Sequence, residues 1–137
     1  MNKIVLISCV SKKQKKKAKA QDLYISPLFK FNLKYASSLN PNKIFILSAK
    51  YGLIELNKEI EPYELTLNKM SLEEIESWAG KVIEELKKVS NLQEDEFIFL
   101  AGEKYRKYLI PCINNCKIPL KGLGIGKQLK FLKENAK

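Results

Sequence analysis

The sequence contains no histidine among its 137 residues. A side chain that titrates near neutrality is the usual partner of a catalytic Ser or Cys and the commonest zinc ligand, so Ser-His and Cys-His catalysis and His-metal sites are excluded. Arginine is nearly absent as well: every cationic residue except Arg106 is a lysine. That argues against bidentate readout of base edges and leaves phosphate as the target of any nucleic-acid contact. Cysteine is scarce and odd in number, at Cys9, Cys112 and Cys116, which does not suit a disulfide framework. No apolar run approaches the roughly 20 residues of a membrane span. The segment after Lys3 becomes polar and lysine-rich rather than forming a leader's apolar stretch. The expectation is a cytoplasmic protein with reduced thiols and no membrane partner.

What the chain has in abundance is lysine at its two ends. The formal net charge is +10, yet residues 1 to 20 hold seven Lys and no acid, and residues 117 to 137 hold six Lys and one Glu. Everything between is slightly acidic, so the basic character is local. With 45% hydrophobic residues the length suits one globular domain over 1–137 with one core.

Ile4-Val-Leu-Ile7, Lys43-Ile-Phe-Ile-Leu47 and Glu96-Phe-Ile-Phe-Leu100 are short continuous apolar runs. Such runs indicate parallel strands buried on both faces. Leu23, Leu28, Phe31, Tyr35 and Leu39 recur near helical spacing, with Pro27 dividing the stretch, and Asn40-Pro41-Asn42 closes it with turn chemistry. Residues 49 to 70 show no sustained period and read as a long loop. Ser71-Leu-Glu-Glu74 is a capping box that opens a helix with Leu72, Ile75, Ala79, Val82, Ile83 and Leu86 on one face. A helix from Glu103 to about Ile110, a short strand from Cys116 to Leu120 and a helix from Ile125 to Asn135 complete the chain. The pattern predicts a three-layer α/β/α sandwich with a mostly parallel four-stranded sheet.

In such a sheet ligands bind beyond the carboxyl ends of the strands. The four junctions there are polar, and each carries lysine: Ser8 to Gln14, Ser48 to Gly52, Ala101 to Tyr105 and Lys121 to Lys127. Cys9 is either a small buried hydrophobe or, beside Lys12 and Lys13, an activated thiolate. Six of the eight residues from Lys12 to Lys19 are lysines, suited to a solvated loop or to a clamp on phosphate that includes Lys12 and Lys16. Tyr51 and Tyr63, with Glu55 and Glu61 nearby, suit either stacking on a base or amphipathic cover over the sheet edge. Gly122-Leu-Gly-Ile-Gly126-Lys127 leads into a helix, where Gly124, Gly126 and Lys127 form either a phosphate nest or a flexible turn. It is no Walker A loop, having Lys121 and Gln128 where Gly and Ser or Thr are required. Cys112 and Cys116 lack further ligands for zinc or an iron-sulfur cluster, so neither metal nor cofactor is implied.

Ser8-Cys9-x-x-Lys12-Lys13, Ala20-x-x-x-Tyr24-x-Ser26-x-Leu28-Phe29, Ile46-Leu-Ser-Ala-Lys-Tyr-Gly-Leu53, Ile60-x-Pro62-Tyr63 and Ala101-Gly-x-x-Tyr105 resemble a family of small uncharacterised α/β proteins. Some members of that family carry the label peroxide stress protein YaaA-like. More distantly, the Cys9 to Lys13 spacing and Ser26 are similar to the catalytic core of archaeosine synthase, which acts on a 7-deazaguanine base in tRNA and resembles uracil-DNA glycosylases in fold. Phe29 stands where that core has a histidine. The resemblance implies a glycosylase-like fold and a pocket with Cys9, Lys13 and Ser26 on one side and Ser48, Lys50, Tyr51 and Tyr63 opposite.

The functional expectation is an enzyme that modifies nucleic acid or nucleotides. It would bind a purine-like or 7-deazapurine-like base in the crevice, with Ser8, Gly102 and Tyr105 also lining it and lysines on phosphate. Lys13 would act as electrostatic stabiliser, Glu61 or Glu103 as general base, and Cys9 as nucleophile or pocket wall. The partner would be tRNA, DNA or a nucleotide. The rival expectations are a stress-response module that coats nucleic acid without chemistry, and a redox sensor built on Cys9.

Overall fold

Four successive apolar side chains, Ile4 to Ile7, are inaccessible to solvent, which requires a strand covered on both faces. This is β1 (Lys3–Ser8). The computed structural model describes residues 1–136. It continues with β2 (Ala18–Lys19), α1 (Ala20–Leu23), α2 (Pro27–Ser38), β3 (Lys43–Ser48), β4 (Gly52–Glu55), β5 (Glu59–Ile60), α3 (Leu72–Val89), β6 (Glu96–Leu100), α4 (Glu103–Arg106), β7 (Asn115–Lys117) and α5 (Ile125–Asn135).

The central sheet runs in the order β4-β3-β1-β6-β7. β1 pairs in parallel with β3 and β6, and β6 with β7, so the expected parallel strands are present. The expected count of four is corrected to five, because β4 adds antiparallel to β3. The chain reverses through Ala49 to Tyr51 and re-enters at Gly52, whose φ is +75°. Only glycine takes that conformation without strain. A Cβ there would also strike the Glu85 carboxylate, whose Oε1 accepts the Leu53 amide at 3.2 Å.

The stretch expected as one long loop therefore holds β4, β5 and a 3₁₀ turn at Leu67–Lys69. β5 pairs antiparallel with β2, Ala18 opposite Ile60 and Lys19 opposite Glu59, so the far end of the lysine run is tied to the body. The last strand is shorter than expected, ending at Lys117. The helix expected to reach Ile110 is a single turn, α4, followed by a 3₁₀ turn at Ile110–Cys112. Pro111 disfavours the α conformation at the residue before it.

Ser26 caps α2, its hydroxyl accepting the Phe29 amide at 3.2 Å, and Pro27 follows at the first helical position, where a missing N–H costs nothing. α2 buries Phe29, Asn32 and Ala36 and packs on β1 and α5. The Ser71 capping box opens α3 with both reciprocal bonds formed. Ile75, Ala79, Val82, Ile83 and Leu86 are buried as their periodicity predicts, but Leu72 is 60% exposed and Trp78 takes a place in the core. No helix among the described residues is long and apolar enough to cross a membrane.

Candidate functional site

Because β1, β3 and β6 are parallel, Ser8, Ser48 and Leu100 end at one edge of the sheet. Cys9 continues the ladder there, its amide donating to the Leu47 carbonyl at 2.9 Å, and its side chain is buried. The Cys9 thiol donates to the Tyr105 hydroxyl at 3.3 Å, and the same oxygen accepts the Leu67 amide at 3.4 Å. Burial first, and the nearby Cys9 sulfur second, push the Tyr105 phenol above its ordinary pKa. A phenol that keeps its proton can reverse the bond and donate to the sulfur whenever Cys9 carries charge. Behind it, Trp78 meets the Tyr105 ring edge-on, with centroids 5.6 Å apart.

Two clefts meet at this Cys9–Tyr105 pair. The first, of about 440 Å³, is walled by Ser8, Asn32, Gly102, Glu103, Arg106 and Gln128 together with leucines. The second, of about 550 Å³, is walled by Ser11, Lys13, Glu64, Thr66 and Lys69. Cys9, Val10, Asn68, Tyr105 and Ile125 belong to both. The first cleft is dominated by amides, hydroxyls and apolar surface; the second carries two ammonium groups. Among the described residues no group of His, Cys, Asp and Glu is placed to hold a metal ion.

A buried hydroxyl network adjoins the second cleft. Ser48 Oγ accepts the amides of Lys50 and Tyr51 at 3.3 and 3.0 Å, so its proton is free to donate to Tyr63 Oη at 2.7 Å. Tyr63 Oη in turn shares a hydrogen with Tyr24 Oη at 2.6 Å. Burial chiefly raises both phenols above their ordinary values, so the network is neutral. The indole N–H of Trp78 donates to the Ser48 carbonyl at 2.8 Å. Lys13 lies across the network with its Nζ 4.4 Å from the Tyr63 ring centroid, a cation on an aromatic face. The Lys13–Tyr24 backbone bridge and the Ile25 amide on the Lys12 carbonyl hold it there. Partial burial lowers the Lys13 pKa, opposed by the Cys9 sulfur and Glu64.

Of the residues expected at one pocket, Ser8, Cys9, Gly102 and Tyr105 converge on the first cleft, and Cys9 and Tyr105 join Lys13 on the second. Ser48 and Tyr63 are buried and line neither cleft, and Ser26 is engaged in the α2 cap. Tyr51 packs edge-on against Tyr63 with Lys50 over its own outer ring. Glu61 is exposed, contributing its backbone carbonyl to the Tyr51 hydroxyl at 3.3 Å, whereas Glu103 lines the first cleft. Lys12 and Lys16 are exposed on the segment after β1. Gly124 is the N-cap of α5, with Gly126 and Lys127 exposed in its first turn beside the first cleft. Lys137, counted with the C-terminal basic group, lies outside the described residues. Phe29, where the archaeosine synthase core has histidine, is fully buried against Tyr24. Sequence reasoning missed Asn32, Glu64, Thr66, Asn68 and Trp78. For Asn32 a signal existed, a polar residue in the apolar stripe Phe29-x-x-Asn32-x-x-x-Ala36.

Fold and site together define an open, mostly parallel α/β protein with paired clefts at the carboxyl edge of its sheet. The chain belongs to a family of unknown function, DUF6884, whose model matches residues 4–134. No curated protein and no solved structure matches it.

Proposed function

We propose that the protein is a nucleic-acid- or nucleotide-modifying enzyme that binds a purine-like base at the carboxyl edge of its sheet and the adjoining phosphates on lysines. The observation that carries this reading is the meeting of a mainly apolar and amide-lined cleft, whose only charged walls are Glu103 and Arg106, with a lysine-bearing cleft at Cys9 and Tyr105. A base in the first and a phosphate in the second would lay the bond between base and sugar across that pair. Cys9 is then placed as nucleophile or wall, with Tyr105 donating to its sulfur and Lys13 offsetting negative charge. Glu103, at the rim of the first cleft, fits the general base better than Glu61. A third groove of about 790 Å³, lined in part by Lys19, Lys30 and Lys34, offers a track for a polynucleotide backbone.

The finer fold reading, a three-layer glycosylase-like sandwich, draws support from the pairing of α2 with α5 and the separate packing of α3 on β4. The likeness to archaeosine synthase supports a base-binding pocket rather than the same reaction, given Phe29. Titration of labelled tRNA, duplex DNA, single-stranded DNA and nucleotides at low salt tests the proposal. Binding weakened by Lys13→Ala is expected. No binding, or binding untouched by both Lys13→Ala and Lys50→Ala, overturns it. Binding lost with Lys15, Lys16 and Lys17 changed to Gln but indifferent to Cys9→Ala and Lys13→Ala would favour the rival, a non-catalytic stress-response module.

A further inference from the structure

We propose that the Asn32 carboxamide hydrogen-bonds the heterocycle in the first cleft, selecting a base that presents a polar group to it. This rests on the base-binding reading above and names the residue that gives it specificity.

Asn32 lies in the middle of α2, in register with Phe29 and Ala36 on the helix face turned inward. It is only 5% exposed, and its Oδ1 is the one buried side-chain oxygen or nitrogen among the described residues without a hydrogen-bond partner. The other buried polar side chains are all satisfied. Ser48 has Tyr63 and two amides, Asp95 has two backbone amides, and Glu96 has Lys117. An unpaired amide in the interior is costly, whereas leucine, with the same branched four-atom skeleton but no polar atom, would carry no such penalty. Among the described residues, Asn32 is thus the one buried polar side chain with hydrogen-bonding capacity left for a partner from outside the chain.

The place of Asn32 says what the partner is. With Leu28 one turn before it, Asn32 walls the first cleft, where Leu100, Leu120 and Leu123 add apolar lining. The charges of Glu103 and Arg106 offset each other on the wall of that cleft, whereas the cleft next door carries Lys13 and Lys69 against Glu64 alone and is the better place for a phosphate. A carboxamide offers one accepting oxygen and a donating nitrogen in one plane, and it can be turned over about its last bond without moving another atom. It can therefore meet either a donor or an acceptor on the base, with whichever of its two polar atoms is turned toward the cleft.

Isothermal titration with GMP, AMP, UMP, CMP and purine riboside 5′-monophosphate, which has no exocyclic group, tests this on the wild type and Asn32→Leu. At least one of the four ordinary nucleotides should bind, and Asn32→Leu should weaken it by about tenfold or more, since a site built for a polar group discriminates strongly. Purine riboside 5′-monophosphate should change by less than about twofold on the same reasoning. The free Asn32→Leu protein should melt higher by about 3 °C or more, the orphan amide being gone. Nucleotide binding that survives both Asn32→Leu and Asn32→Ala overturns the assignment of Asn32 alone. Absence of binding by every nucleotide to the wild type overturns the base-binding reading together with it. Asn32→Ala repeats the binding comparison should leucine not fit.

Discussion

Removing one oxygen, from Tyr63, would leave the Ser48 hydroxyl proton and the Tyr24 hydroxyl without their partner. Ser48 Oγ and Tyr24 Oη both depend on the Tyr63 hydroxyl, and all three side chains are buried. Tyr63→Phe should therefore destabilise the fold by about 1–3 kcal/mol, measured by urea unfolding, so any loss of binding in that variant must be corrected for stability. Lys13 carries a different signature. Its partial burial favours the neutral amine, so it releases its proton at lower pH than a solvated lysine, whose pKa is about 10.4. The phosphate affinity it supplies is complete at low pH and is lost as pH rises through that lowered value. Lys13→Arg, which stays charged, should flatten the fall in nucleotide affinity that sets in below the pH at which a solvated lysine titrates. An unchanged profile would show that Lys13 does not touch phosphate.

At the scale of elements, the start of β1 is tied to the connection between α3 and β6 by one carboxylate. Asp95 accepts the Asn91 amide at 2.8 Å and the Asn2 amide at 2.9 Å, and those bonds hold its pKa below the ordinary carboxylate value. A depressed pKa means stabilisation that is present above the unfolded value of about 3.9 and disappears as pH falls through the folded one. Asp95→Ala should cost about 2 kcal/mol at neutral pH, and the gap between variant and wild type in urea melts should close in acid. Elements set by local signals were legible in the chain itself. The apolar run at 96–100 and the capping box at Ser71 mark β6 and the start of α3, and the stretch after Gly124 marks α5. β4, β2 and β5 were not, because strands of two to four residues owe their form to a distant partner rather than to any period of their own. The site divides in the same way. Cys9 and Gly102 follow parallel strands and are located by topology, whereas Asn32 comes from a helix interior and Asn68 from a 3₁₀ turn. Tyr63 looked like a pocket residue because a phenol beside a loop does not reveal whether its hydroxyl faces solvent or Ser48.

For the molecule as a whole, the lysine segment after β1 sets the salt dependence. Lys15, Lys16 and Lys17 are exposed and suit pairing with phosphate that lower salt strengthens. Changing all three to Gln should reduce the slope of log affinity against log salt by about 0.9 for each duplex phosphate no longer neutralised. Asn32→Leu should shift affinity without altering that slope. If the triple variant keeps the wild-type slope, the lysine segment does not meet phosphate. The packing of Trp78 gives these experiments their readout. It is the only tryptophan in the sequence, its ring rests edge-on against Tyr105 and its N–H is held by the carbonyl at the end of β3. Since Tyr105 borders both clefts, the intrinsic fluorescence of this one indole is an unlabelled optical reporter of occupancy in either.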